Sequence, residues 1–266
     1  ICLVYVLDRK TALRREIRTA VRIEIGYLIF LFVTIPCGMV FSVSADNIYS
    51  RGPHFYIYVV MYFGAILYLS ASTVITAREF QNRSRLLIYP LILFVMAETI
   101  IQVALPELHV TWLCVTLLSV LYFIYCSEMW NQLDALTGLL NQNSYLKQTG
   151  GVRCKGGVLV VFDVDDFKQI NDRYGHIQGD RCLAGIAECI KKSYANFGYC
   201  YRIGGDEFCV LLKNGGNEGR CKQEFLQRLQ EKRGEIAFLP TVSYGSAPFS
   251  GEDIVKVKDR ADQDMY

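Results

Sequence analysis

Tyr201-Arg202-Ile203-Gly204-Gly205-Asp206-Glu207-Phe208 is the most informative run in this chain. Two adjacent glycines allow a tight turn with positive φ and leave room for a ligand to come close to the backbone. Two acids follow at once, where they can meet a metal ion and a phosphate. The flanks, residues 199–203 and 208–212, are apolar and β-prone, which predicts a hairpin with charge at its tip. An ordinary glycine turn with solvated acids would read the same way in isolation, so the surrounding sequence has to decide.

Outward from the hairpin, residues 131–266 have the composition of a soluble α/β domain, whereas residues 1–130 hold long apolar runs. A chain of 266 residues is long enough for one to three domains. The hydrophobic fraction of 52% and the mean hydropathy of +0.22 are high for a soluble protein, and the excess lies in the first half. The formal net charge of +2 argues neither for nor against nucleic acid, and no motif asks for such a partner, so none is expected. The ten cysteines form no C-x-x-C, which speaks against zinc. Six of them (Cys154, Cys182, Cys189, Cys200, Cys209 and Cys221) fall in the second half without a framework spacing, as suits a reducing cytosol.

Residues 157–162 read as a short, fully apolar strand that ends in Asp163, Asp165 and Asp166. A buried strand ending in acids is a way to set metal ligands at the edge of a sheet. The plain alternative is that Asp163, or equally Asp165 or Asp166, caps the next helix. Further upstream stands Asp134-Ala135-Leu136-Thr137-Gly138-Leu139-Leu140-Asn141. Thr137-Gly138 breaks a helix, and Asn141 or Asn143 can cap the following one. Strands are predicted near 158–163, 199–203, 208–212 and 241–247, and helices near 166–174, 179–194, 218–232 and 251–266. The expected fold is a multi-span α-helical membrane region followed by an α/β (α+β) domain with a mixed central sheet flanked by helices.

Three separated segments carry a family resemblance. Gly204-Gly205-Asp206-Glu207-Phe208 resembles the signature of the GGDEF family of diguanylate cyclases. Asp163-Val164-Asp165-Asp166-Phe167-Lys168-Gln169-Ile170-Asn171-Asp172-Arg173-Tyr174-Gly175-His176-Ile177-Gln178-Gly179-Asp180 is similar to the family's D-x-D-x-F-K-x-x-N-D-x-x-G-H-x-x-G-D almost position for position. Residues 134–141 look like the family's opening D-x-L-T-G-L-x-N, with Gly138 placed 66 residues before Gly204. Gln142 departs from the arginine often found there, which bears on a local salt bridge and not on the chemistry. The resemblance covers residues 134–266.

It implies a nucleotidyl-cyclase-like fold and the condensation of two GTP into cyclic di-GMP plus pyrophosphate. The 3′-hydroxyl of one GTP attacks the α-phosphate of the other, a reaction that is mostly positioning and charge neutralisation. By resemblance, Mg²⁺ (with Mn²⁺ a further candidate) is held by Asp163, the carbonyl of Val164 and Asp206. Asp206 is the candidate base for the 3′-hydroxyl, with Glu207 as a second acid. Lys168 and the amides around Phe167 hold phosphate charge, beside the turn of Gly204 and Gly205. Asn171 and Asp180 read guanine, because adenine would leave the Asp180 carboxylate unpaired. His176 lines the nucleotide site or makes a structural hydrogen bond. One GTP per domain implies that catalysis needs a homodimer. The rival reading is a degenerate, non-catalytic GTP-binding signalling protein, against which stand the intact acids.

Two departures from the family pattern matter. Ala195 and Gly198 stand where many members carry the R-x-x-D of an inhibitory product site, so no inhibition through that site is expected. Ala261-Asp262-Gln263-Asp264-Met265-Tyr266 resembles A-D-x-A-[ML]-Y, which in the family runs on into x-A-K and a phosphate-binding basic stretch, so either the domain continues past Tyr266, as expected, or this form lacks a phosphate ligand and is weak.

In the first half, residues 1–7 are too short to span and read as the tail of a helix that starts upstream. Runs at 23–43, 56–77, 86–105 and 110–127 are each long enough to cross a bilayer. Residues 1–127 are therefore expected to be a membrane sensor region with a fragment of a span and four full spans. Arg9, Lys10, Arg14, Arg15, Arg18 and Arg22, then Arg78, Arg83 and Arg85, fall in two loops on the same side, whereas the loops on the opposite side hold only Arg51. The positive-inside rule then predicts a multi-pass protein of the cytoplasmic membrane with its second half in the cytoplasm. The lipid bilayer and an unknown sensory ligand or protein are the further partners. Pro36-Cys37-Gly38 is expected to bend the first full span. Glu98 falls mid-span with Gln102 one turn on; it reads either as a ligand or proton sensor or as a hydrogen-bonding link to a Ser, Thr or Tyr of another helix. Residues 128–135 are expected to be a short helical connector in which the last span runs on to Asp134, and 136–266 the GGDEF domain.

Overall fold

A computed structural model of the chain describes residues 11–79, 88–105, 111–150, 156–213 and 215–265. The chain divides into two compact units, Ile1–Thr76 with Ser84–Ser127, and Glu128–Tyr266 with Ala77–Arg83.

The first unit is helical. It contains α1 (Thr11–Thr34), a small hairpin of β1 (Phe41–Val43) and β2 (Tyr49–Arg51), α2 (Phe55–Glu79), α3 (Ile88–Ala104) and the greater part of α4 (Thr111–Trp130). The span expected over 23–43 does not form. Helix α1 stops at Thr34, and Ile35–Cys37 make a 3₁₀ turn closed by the Gly38 N–H donating to the Ile35 carbonyl, with Gly38 left-handed at φ +60°. Pro36 therefore ends the helix instead of bending it: it has no N–H to continue the ladder, and Gly38 supplies the reversal. Among the described residues one helix is long and apolar enough to cross a membrane, through Leu113–Trp130; Phe55–Tyr68 is a shorter apolar stretch. The expectation of four spans is not supported. Residues 1–10, the basic residues Arg83 and Arg85, the loop 106–110 and the side chains of Arg78, Gln102 and Trp112 lie outside the described residues. Helix α4 ends at Trp130, short of Asp134, because the Gln132 and Leu133 N–H groups turn back to the Met129 and Trp130 carbonyls and Leu133 pairs with Leu140.

The second unit contains α5 (Gln142–Thr149), β3 (Gly157–Val164), α6 (Phe167–Tyr174), α7 (His176–Tyr194), β4 (Gly198–Arg202), β5 (Glu207–Leu212), α8 (Glu218–Glu235), β6 (Val242–Phe249) and α9 (Ile254–Met265). These match the predicted elements to within a few residues. Asn141 is the N-cap of α5, its Oδ1 accepting from the Ser144 N–H at 3.0 Å. The sheet has the order β4-β5-β3-β6, and each neighbouring pair is antiparallel, not mixed as expected. The helical connections explain this. The chain passes from β3 through α6 and α7 to β4, and from β5 through α8 to β6. Each crossover joins parallel strands but skips one strand, so every strand ends up beside an antiparallel partner.

Central strand β3 is buried on both faces, which is why its sequence is a continuous apolar run rather than an alternation. Val158, Val160, Phe162 and Val164 face Leu183, Ile186, Ile190, Phe225 and Leu229 of α7 and α8. Leu159 and Val161 face the other way, with Tyr145, Tyr201, Val257 and Ala261. Phe162 meets the rings of Phe225 and Tyr194 edge-on at 5.1 and 5.6 Å. A rigid core of this kind holds the C-terminal end of β3 still, and the strand-end acids sit there.

Candidate active site

Asp163 lies at that end, directly opposite Glu207 on β5 and Ser243 on β6. The ladder thus brings an acid of the first motif to the same sheet edge as the acids of the hairpin. Asp163 is partly buried, and its carboxyl is pushed above the usual carboxylate range, first by burial and then by Asp206, Glu207 and Asp165; the Val164 N–H opposes the shift. The like charges around Asp163 disfavour its ionised form, which a nearby cation would favour. Among the described residues no group of three or more His, Cys, Asp and Glu side chains stands in metal-holding geometry. The donors present are two carboxylates, a third acid and the backbone at Val164, all oxygen, which suits a hard divalent ion that keeps its own waters.

The neighbouring acids are already engaged. Asp165 accepts a hydrogen bond from the Ser243 hydroxyl at 2.6 Å. Asp166 sits at the N-cap of α6 in the left-handed region, φ +53°, but makes no side-chain cap; its Oδ1 accepts from Gln169 Nε2 at 2.7 Å. Among the described residues none of the three acid side chains closes the α6 N-terminus, and the capping alternative for Asp163 loses its support.

Helices α6 and α7 meet at Gly175, whose φ of +83° needs glycine. They pack so closely that a Cβ at Gly179 would collide with Asn171 Oδ1 and lie 3.2 Å from the Phe167 ring. Phe167, Asn171 and the Gly179-Asp180 pair are therefore brought together. Phe167 packs on the core beneath. Lys168, His176 and Asp180 are exposed, and among the described residues no hydrogen bond or ion pair ties them to the Asp163 cluster.

At the hairpin tip the structure corrects one expectation: neither Gly204 nor Gly205 is left-handed. The turn is closed by the Ile203 and Gly204 N–H groups, which both donate to the Glu207 carbonyl at 3.0 and 3.3 Å. The glycines supply space. The Glu207 side chain lies over Gly204, where a Cβ would come within 3.1 Å of Oε2, and Gly205 faces open space.

The sequence did not reveal what holds the tip. Arg202 donates from Nε and a terminal nitrogen to the Gly205 carbonyl, at 3.2 and 2.7 Å, and from its other terminal nitrogen to Asp134 Oδ1 at 3.1 Å. Asp134 Oδ1 also accepts from the Thr137 N–H and hydroxyl, at 2.9 and 2.6 Å. Burial pushes the Asp134 carboxyl up, but the bonds from Thr137 and Arg202 outweigh it and hold the group below the usual range. Ser243 and Lys258 were also missed. Lys258 pairs with Asp262 at 3.2 Å and lies in the field of Glu207. Nothing in the spacing of these residues signals their proximity, which follows from the register alone.

The profile of the family "Diguanylate cyclase, GGDEF domain" matches residues 131–266, half of the chain. The chain belongs to the GGDEF family. Its GGDEF domain is 40% identical over 96 residues to the probable diguanylate cyclase DgcI of Escherichia coli K12, covering 36% of this chain and 21% of that protein. It is 41% identical over 86 residues to the diguanylate cyclase DgcS of Shewanella oneidensis, covering 30% of this chain and 29% of that one. The chain thus spans less than a third of the length of either relative. Among solved structures, the GGDEF domain of DgcB from Caulobacter crescentus in complex with c-di-GMP is similar at 27% identity and a TM-score of 0.44, covering 51% of this chain and 88% of that one. Membership rests on the sequence match.

Proposed function

We propose that this chain is an active diguanylate cyclase that condenses two GTP into cyclic di-GMP and pyrophosphate. The observation that carries the reading is the carboxylate cluster at the β3–β5 edge, in which Asp206 and Glu207 push up the Asp163 carboxyl. A degenerate GTP-binding relative would have little use for three mutually repelling acids at one edge, since the arrangement costs folding energy unless a cation relieves it.

Asp163, Asp206 and the Val164 carbonyl would hold Mg²⁺, or Mn²⁺, which when bound would neutralise phosphate charge and acidify the attacking hydroxyl. Asp206 accepts the proton of the 3′-hydroxyl, and Glu207 stands beside it as the second acid. Lys168 and the uncapped amides at the start of α6 hold the phosphates, with the open face of Gly205 leaving room for them. Asp180 accepts from the guanine N1–H and 2-amino group, Asn171 reads the same base, and His176 borders that site. Each domain carries one GTP, so two copies must face each other for the hydroxyl of one to reach the α-phosphate of the other.

The helical unit is proposed to be membrane-embedded and sensory, with the GGDEF domain in the cytoplasm. Only 17% of the Leu113–Trp130 window is buried inside the protein, which is unlike the core helix of a soluble fold. Multi-pass insertion rests on the apolar runs and arginine distribution of the sequence, not on helix lengths. The catalytic reading is tested by incubating the protein with Mg²⁺ and GTP and separating the nucleotides by chromatography. Cyclic di-GMP and pyrophosphate are expected; bound but unconverted GTP would favour the non-catalytic regulator.

A further inference from the structure

Helix α3 turns a carboxylate inward. Its buried positions include Val95, Glu98 and Thr99, one face at i, i+3 and i+4, while Leu93 and Ile100 are 71% and 60% exposed. Glu98 is only 6% exposed, and its Oε1 has no hydrogen-bond partner among the described residues. The interhelical hydrogen bond that would explain a buried glutamate is thus missing at this atom. Thr99 cannot supply it, because its hydroxyl donates to the Val95 carbonyl at 2.7 Å.

The groups around Glu98 are aromatic hydroxyls. Glu98 acts electrostatically on Tyr58 and Tyr62 of α2, and Tyr62 is hydrogen-bonded to Thr99. The Tyr58 and Tyr62 rings stack at 5.9 Å, and Phe55 continues the row, 5.5 Å from Tyr58. Tyr27 of α1 lies within the field of Tyr58, and its hydroxyl is a second buried group without a partner among the described residues. Among the described residues no lysine or arginine acts on Tyr58 or Tyr62, and Arg51 lies over the Phe55 ring at the end of the row, 4.7 Å from its centroid. Two unpartnered polar atoms, on α1 and α3, therefore border the same row of rings on α2.

An ionised carboxylate only accepts hydrogen bonds, and leaving one buried and unpaired is costly. The ligand that answers this set of groups brings N–H donors, a positive charge for the carboxylate and the ring faces, and a small apolar body. We infer that the helical unit binds a small organic ammonium ion, with Glu98 as its counter-ion, Tyr58 and Tyr62 as its aromatic wall and Tyr27 as a further polar contact.

The experiment is calorimetric titration of the intact protein in detergent with n-propylammonium, and with n-propanol as the neutral counterpart. Saturable binding of the ammonium ion and none of the alcohol is expected. Glu98→Gln should weaken ammonium binding at least about tenfold, the scale of losing a buried charge partner. Equal binding by Glu98→Gln, equal binding of the alcohol, or no saturable binding to wild type would overturn the inference. Should the glutamine variant fail to fold, Tyr27→Phe decides: severalfold weaker binding supports the site, and unchanged affinity overturns it. Binding is read without cyclase turnover, so this inference and the proposed activity can fail separately.

Discussion

Asp163 and Asp134 are two carboxylates displaced in opposite directions, and they make opposite predictions. The Asp163 carboxyl is raised by burial and by its acidic neighbours. The folded state therefore holds that proton more tightly than the unfolded chain, and ionising the group weakens the fold as pH rises above the unfolded value of about 3.9. Asp163→Asn should abolish product formation, yet leave the cation-free protein melting at least as high as wild type; the rise in melting temperature that Mg²⁺ gives wild type should vanish. A variant that melts well below wild type without Mg²⁺ would contradict the charge cluster. The Asp134 carboxyl is lowered, so its contribution is present above about pH 3.9 and is lost as pH falls through its folded value. Asp134→Asn should cost about 1 kcal/mol at pH 7, measured by denaturant titration, with a smaller loss at acid pH. It should also slow turnover, because Asp134 holds the Arg202 side chain that grips the Gly205 carbonyl. The acids of the cluster were legible in the sequence because their types and order are unusual. The Asp134–Arg202 pair was not, since its members are 68 residues apart and meet only through the fold.

Periodicity and punctuation placed the elements of the second unit well. The apolar run of β3 and the Asn141 cap are local signals that survive in the structure, and the glycine pair makes its turn without left-handed backbone. Strand direction is not local: it depends on which strand each helical crossover skips, and the sheet proved antiparallel. The first helix was misread for a related reason. Hydropathy continues through Pro36 into residues 39–43, but the backbone reverses at Gly38. In β4, Gly198 is held so close that a Cβ would collide with the Leu211 carbonyl. Installing the family's inhibitory pair by Ala195→Arg with Gly198→Asp should therefore destabilise the domain by about 1–3 kcal/mol, the usual cost of overpacking. Wild type should show no product inhibition through this site in a cyclic di-GMP titration. Cys200 and Cys209 are fully buried in the same sheet, and burial pushes the Cys200 thiol up to about 12. Both should resist alkylation at pH 8 in the native state and react on unfolding, as mass spectrometry would show.

At the scale of the whole molecule, a helical unit with outward-facing apolar side chains precedes a GGDEF domain with an intact acidic edge. Composition alone separated the two halves. Of the four spans expected, one helix among the described residues, through Leu113–Trp130, is both long and apolar enough to cross a membrane. Each unit holds acids away from full solvent, Glu98 buried in the first and the Asp163 cluster partly buried in the second, and a cation is the proposed relief in both. For the second unit this is the central claim. The most direct measurement is cyclic di-GMP production from GTP by the wild-type protein and by Asp206→Ala, at equal concentration and with saturating Mg²⁺. Turnover by wild type and a loss of at least about 10²-fold in the variant, with its fold retained, is the predicted result. No product from wild type, or equal product from both, would contradict it.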